Sequence, residues 1–219
     1  MGNVANAFSL PFKSPDWFPR LLITGLIALV PVIGWINLVG WMLATLDNYR
    51  RGVVELPPAG FNYIGRGATL FLVALVYGLA IGVILVLPVV LLTLGSLNSA
   101  GNPPAYPTGG FNPTLTGLGQ VVPLAEYTFL PAVVICTERN GLAGGFNVRE
   151  VFRLASSNWK NSLIAGVLIY AAGYAGALGL LACCVGILVS YPYFVATTAG
   201  IIRYYEATFE PPQQVPQPY

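Results

Sequence analysis

The chain has 219 residues, of which 56% are hydrophobic and only 8% charged, with ten basic and eight acidic side chains and no histidine. A soluble domain carries about 25% charged residues, so this composition, with a mean hydropathy of +0.71, excludes a water-covered globule and predicts an integral membrane protein. The lack of histidine also removes the usual axial haem ligand and the side chain that changes charge most readily near neutral pH.

Backbone groups in lipid must be satisfied within their own segment, and the two-residue alternation of a membrane barrel is absent, so the apolar runs should be helices. The first helix is expected at SPDWFPR, with Ser14 as N-cap, Pro15 at the first helical position and Asp16 favouring the positive end of the dipole. The run Leu21 to Leu46 that follows has 26 uncharged residues interrupted by Pro31, Gly34, Asn37 and Gly40. A straight helix of that length would reach about 39 Å, whereas two arms broken at Pro31 to Gly34 would each be too short to cross. The expected geometry is a re-entrant hairpin, with a tilted or kinked single span as its competitor. Because the run starts only after Lys13, Asp16 and Arg20 and has no small-residue cleavage site, it is not expected to be a removable signal peptide.

Further apolar runs cover Ala68 to Leu97, Leu118 to Thr137, and Ser162 to Ile202. The last has 41 residues, about twice one span, and should turn back near Gly179 to Gly186. The expected fold is therefore an all-α polytopic bundle. It has four full spans plus the N-terminal hairpin, or five to six spans, in one domain over residues 1–206, followed by a proline-rich flexible tail, 207–219.

Basic residues set the direction of the spans. Asn98 to Gly117 has no lysine or arginine and is rich in Pro, Gly, Asn and Thr, as an extracytoplasmic loop should be. Asp47 to Gly67 carries Arg50, Arg51 and Arg66, and Glu138 to Asn161 carries Arg139, Arg149, Arg153 and Lys160, which assigns both to the cytoplasm. With a re-entrant first run, Lys13, Arg20 and Arg203 join them, and both termini are cytoplasmic. A crude internal repeat supports the hairpin. DWFPRLLITG resembles NWKNSLIAG at Asn158 to Gly166, and each leads through a Gly-interrupted run to DNYRR or IIRYYE.

Phe146 to Asn161 is predicted to be an amphipathic helix in the cytoplasmic headgroup layer. Asn147 and Glu150 form a capping box, Val148, Val151, Phe152, Ala155 and Trp159 make the apolar face, and Arg149, Arg153 and Lys160 the other. Trp17, Trp35, Trp41 and Trp159 fit anchors at or near the interface. Ala74, Gly78 and Gly82 recur every four residues, a small-residue stripe of the kind that lets helices approach closely. AGYAGALG, with Gly173 and Gly176, offers a matching surface, so the stripe predicts internal packing or dimerisation.

Glu126 is the one ionisable group placed well inside a span, between Pro123 and Pro131, with Gln120, Tyr127 and Thr128 as polar company. An intramembrane carboxyl group is a candidate proton or cation site, whose bland alternative is a protonated, hydrogen-bonded side chain. No phosphate-binding Gly loop, catalytic triad or carboxylate cluster is present. Cys136, Cys183 and Cys184 read as small buried residues, with the vicinal pair a weaker redox or acylation candidate.

The stretch from Pro11 to Gly67 resembles the opening of an uncharacterised prokaryotic membrane-protein family, domain of unknown function 4013. The resemblance rests on Pro11, Phe12, Asp16, Trp17, Gly25, Pro31, Gly40, Arg50, Gly52, Leu56, Pro57 and Gly67, and later on FNVREVFRLASSNWKNSLIAG and CCVGILVSYPYFVATTAGIIRYYE. It covers most of residues 8–206, departs in a longer outer loop and in the PPQQVPQPY tail, and implies a compact helical membrane domain with no activity to transfer.

Packing signals thus abound where chemical ones are scarce. The expected function is a non-enzymatic structural or accessory subunit of the prokaryotic plasma membrane. It would use no cofactor, metal or nucleic acid, and its partners would be lipids and other membrane subunits or further copies of itself. The alternatives are a small transporter or channel-like protein centred on Glu126, and a membrane-surface sensor using Phe146 to Lys160 and the tail.

Overall fold

In the computed structural model of the protein, residues 6–87 and 113–209 are described. Among them the chain forms eight helices and no strand. The expectations for the outer loop up to residue 112, and for the tail from residue 210, fall outside the described residues.

After a short helix α1, Asn6–Ser9, the first long run folds as two helices, α2 (Trp17–Ala28) and α3 (Ile33–Arg50), around a turn at Leu29 to Val32. The break falls beside Pro31, whose ring has no N–H to donate and blocks continuation of a helix. The Ile33 N–H donates to the Pro31 carbonyl at 2.7 Å and closes a γ-turn that puts Val32 at φ +63°. At 12 residues, or about 18 Å, α2 is too short to cross a bilayer. It begins at Trp17, later than expected: Asp16 occupies the N-cap position, and the Ser14 hydroxyl is buried without a partner instead of capping.

The segment between α3 and the next helix folds back along α3. Asn37 Nδ2 donates to the Gly60 carbonyl at 2.9 Å and Trp41 Nε1 to that of Pro57 at 3.3 Å, while Arg20 of α2 donates to the Leu56 carbonyl. Trp41 is fully buried by these contacts and belongs to the core, which corrects its assignment as an interface anchor. Trp17 is half-buried in an edge-on contact with Phe12, and Trp35 and Trp159 are exposed.

Helix α4 (Ile64–Ile81) continues through a π-helical turn at Gly82–Val86. Helix α5 (Pro113–Phe146) is interrupted at Asn140 and Gly141, where Gly141 takes φ +62° and lets the chain double back. Helices α6 (Val148–Ser157) and α7 (Trp159–Ala177) follow, then a 3-10 turn at Leu178–Ala182 close to the expected reversal, and α8 (Cys183–Ala207). Three helical stretches among the described residues are long and apolar enough to cross a membrane: Ile64–Ile84, Gln120–Phe146 and Trp159–Leu180.

Helix α8 packs against α1, α2, α3 and α7, and α5 against α4, α6 and α7. Glycine decides how closely these helices approach. A Cβ on Gly25 would lie 1.8 Å from the Leu188 carbonyl oxygen of α8, and one on Gly166 would lie 2.7 Å from the Thr128 Cα of α5. These are the glycines at which the two copies of the internal repeat end. Gly40 and Gly67 form the corresponding contact between α3 and α4, where a Cβ on Gly67 would fall 1.9 Å from the Ile36 carbonyl oxygen.

The stripe predicted for helix packing behaves otherwise. Gly78 and Gly82 have nothing within 4 Å of an added Cβ, and Ala74 is exposed. Gly173 and Gly176 turn to Phe194 of α8, at 3.8 and 3.2 Å. The two small-residue surfaces are therefore not partners among the described residues: α4 meets α3 through Gly67 and α5 through Val73 and Tyr77, and its Gly78 side stays open.

Helix α6 keeps half of its predicted capping box. Asn147 Oδ1 accepts from the Glu150 N–H at 3.2 Å, while the Glu150 carboxylate pairs with Arg153 at 3.1 Å instead of reaching back. Its apolar residues divide between two directions. Val151 and Ala155 are buried on Ala132 and Cys136, but Val148 and Phe152 stand more than 60% exposed beside exposed Arg149 and Arg153. Asn158, at φ −135° and ψ 52°, ends the helix, so exposed Trp159 and Lys160 open α7.

Candidate functional site

A charged junction ties four helices together. Arg50, the last residue of α3, donates from Nε to Glu206 Oε2 of α8 at 2.9 Å, from Nη1 to Asp47 Oδ1 at 3.0 Å and from Nη2 to Glu138 Oε2 of α5 at 2.6 Å. Arg66, in the first turn of α4, reaches Glu138 Oε1 at 2.7 Å and also pairs with Asp47. Burial pushes the Asp47 carboxyl up, but its hydrogen bonds and charge contacts with Arg66 and Arg50 outweigh this and hold it below the usual carboxylate range. The ends DNYRR and IIRYYE of the internal repeat meet here. The distribution of basic residues along the chain assigns these arginines to one side of a membrane, but nothing in their spacing points to the carboxylates that bind them.

The four polar residues singled out, Glu126 with Gln120, Tyr127 and Thr128, do not form one hydrogen-bonded site. Thr128 donates to the Leu124 carbonyl at 2.7 Å on its own helix and lies against Gly166 of α7. Gln120 Oε1 accepts from the hydroxyls of Tyr170 and Tyr174 on α7, the latter at 2.6 Å. Tyr127 packs on Tyr170 and Phe194, with ring centroids 6.2 and 6.4 Å away. Gln120 and Tyr127 thus share the α7 side of α5. The two tyrosines that complete this cluster, one helical turn apart on α7, were missed because an isolated tyrosine carries no pattern in an apolar run.

Glu126 makes no polar contact with them, although Tyr127 lines the same groove. Glu126 is exposed and makes no hydrogen bond or ion pair with another described residue. It lines an apolar groove of about 600 Å³ between α4 and α5. Ala74, Gly78 and Ile81 form one wall and Val121, Ala125 and Phe129 the other, and Phe152 of α6 stacks on Phe129 at 6.1 Å. Since Arg66 meets Glu138 while the later part of α4 faces the earlier part of α5, the two helices run antiparallel. The open Gly78 stripe and the lone carboxyl group therefore share one concavity. About 18 Å of helix separates Glu126 from Glu138 and the charged junction.

Among the described residues no group of three or more His, Cys, Asp or Glu is placed to hold a metal ion. Cys136 is buried and unbonded on α5.

An all-helical chain with three helices suited to a bilayer, a charged junction at one set of helix ends and an apolar groove between two of the helices describes a polytopic helical protein compatible with a membrane. The chain belongs to the family described as protein of unknown function (DUF4013), whose model matches residues 23–185, from within α2 into the start of α8. No curated protein and no solved structure matches it.

Proposed function

We propose that this protein is a non-enzymatic accessory subunit of the cytoplasmic membrane that receives a transmembrane helix of another membrane protein in the groove between α4 and α5. One observation carries the reading. Gly78 has open space where helix-packing glycines have a neighbour, and it shares its groove with a carboxyl group that has no partner among the described residues. Small residues promote helix association in lipid by backbone approach, and an intramembrane carboxyl group requires a hydrogen-bond donor or cation opposite it. The helix that fits has small residues at its crossing point and such a donor level with Glu126.

In this reading α2 and α3 dip into the membrane and return. The hydrogen bond from Arg20, near the start of α2, to the Leu56 carbonyl supports this, since it ties the start of the hairpin to the segment that leaves α3 and folds back along it. The arginine-rich helix ends then face the cytoplasm, with both termini.

A photoreactive side chain at position 81, cross-linked in native membranes, tests the groove. The expected result is one discrete adduct with another membrane protein, lost in Gly78→Leu. Absence of any adduct sinks the reading, and an adduct between two copies of this chain replaces the partner with a second copy. The rival is transport centred on Glu126, favoured only by that carboxyl group lying in a cavity. Ion or proton flux in proteoliposomes that disappears in Glu126→Gln would establish it instead.

A further inference from the structure

A second cavity, of about 570 Å³, opens beside the charged junction, at the ends of α3, α5 and α8 and the first turn of α4. Arg50, Arg66, Arg139 and Arg203 line it, one from each of four helices. The carboxylates around them are Asp47, Glu138 and Glu206. Among the described residues, four guanidinium groups against three carboxylates leave a net charge of +1 (4 − 3).

Among the described residues the surplus falls on Arg139. Arg50 and Arg66 are held by all three carboxylates. Arg203 pairs with Glu206 at 3.9 Å. Arg139 is exposed one residue before the kink in α5 and has no carboxylate partner among the described residues. Across from the charges the wall is apolar, made by Ile135, Leu154 and Phe209. A matching ligand has a compact anion for the guanidinium groups and an uncharged part for that wall.

We propose that this cavity is a phosphate site, and that its occupant is the headgroup phosphate of an anionic phospholipid. Guanidinium forks match phosphate oxygens in pairs, and a basic pocket between helices at the membrane face is suited to anionic headgroups. The carboxylates hold Arg50 and Arg66 in place and keep the net charge small, which suits a singly or doubly charged phosphate better than a polyanion. The site is independent of the groove that contains Glu126.

Purified full-length protein in uncharged detergent, titrated calorimetrically with short-chain phosphatidylglycerol, with phosphatidylcholine of the same chain length and with inorganic phosphate, tests the proposal. Phosphatidylglycerol should bind saturably, and Arg139→Gln should weaken it roughly tenfold, as expected for loss of one charge-assisted contact. Arg149→Gln, on α6 outside the cavity, should leave it unchanged. If inorganic phosphate binds as tightly and with the same dependence on Arg139, the phosphate site stands and its occupant is soluble. No saturable binding of either anion, binding indifferent to Arg139→Gln, or equal weakening by Arg149→Gln overturns the proposal. Because Arg139 is exposed and outside the ion pairs, its replacement leaves the junction intact, and an unchanged circular dichroism melt verifies this.

Discussion

Arg50 Nε lies 2.9 Å from Glu206 Oε2, although 156 residues separate them in the chain. The pair joins the last residue of α3 to the last turn of α8, and through Glu138 to α5. Glu138 and Glu206 are only 16% and 14% exposed. Removing the guanidinium group therefore takes the closest counter-charge from Glu206 and leaves Glu138 to Arg66, with both carboxylates poorly hydrated. Arg50→Met should destabilise the fold by about 2 to 4 kcal/mol, and Arg50→Met with Glu206→Gln by less than the sum of the single changes. Unfolding followed by circular dichroism in mild detergent measures both, and strict additivity would show that the pair is not coupled.

Asp47 gives the junction a pH dependence of known sign. Its carboxyl group titrates lower in the folded protein than in the unfolded chain, so its contribution is fully present above the unfolded value, near pH 4, and is lost as pH falls through the depressed folded value. Melting temperature should therefore drop on acidification below about pH 4. Asp47→Asn should flatten part of that drop, and an identical acid profile in the variant would remove Asp47 from the account.

The glycines divide into two groups that substitution should separate. Gly67→Ala places a Cβ against the Ile36 carbonyl and should cost about 1 to 3 kcal/mol, because α3 and α4 must move apart. Gly78→Ala meets nothing and should be neutral, or stabilising by up to about 1 kcal/mol, in the isolated chain through helix propensity. Thermal melts of the purified variants decide this, and equal losses would contradict the open groove.

Val32 holds a β-branched residue at φ +63° in the turn of the α2/α3 hairpin, and its side chain is 61% exposed. Such a backbone costs about 1 to 3 kcal/mol and glycine removes most of that cost. Val32→Gly should therefore raise stability by about 1 kcal/mol. A fall in melting temperature would mean that Val32 makes contacts worth more than the relief.

Orientation is testable by labelling. With Lys13→Cys and Ala105→Cys introduced singly, an impermeant thiol reagent added to intact cells should modify position 105 and spare position 13. The reverse pattern would invert the assignment of cytoplasmic and outer faces.

Much of the architecture could be read along the chain because hydropathy and helix breakers act locally. The helix ends beside Pro31, the reversal near Gly179 and the cap at Asn147 all follow from backbone rules that apply within a few residues. The choice among glycines could not be read this way. Gly78 sits in the stronger packing motif, yet Gly25, Gly40, Gly67 and Gly166 make the close contacts, because a motif describes one helix surface while an approach requires two. The polar company of Glu126 failed likewise: residues adjacent in sequence point to different sides of a helix, so Thr128 faces α7 and Glu126 the groove, while Tyr127 borders the groove and packs on Tyr170.

Composition alone marked this chain as one whose helices are compatible with a membrane, and the positions of its ten basic residues confined positive charge to particular helix ends. Those are properties of residues taken singly or in short runs. Which arginine meets which carboxylate, where a cavity opens beside them and which helix face stays without a neighbour were decided only when helices far apart in the chain came together. Ion pairing and close packing act over a few ångströms, and distance along the chain does not encode that separation.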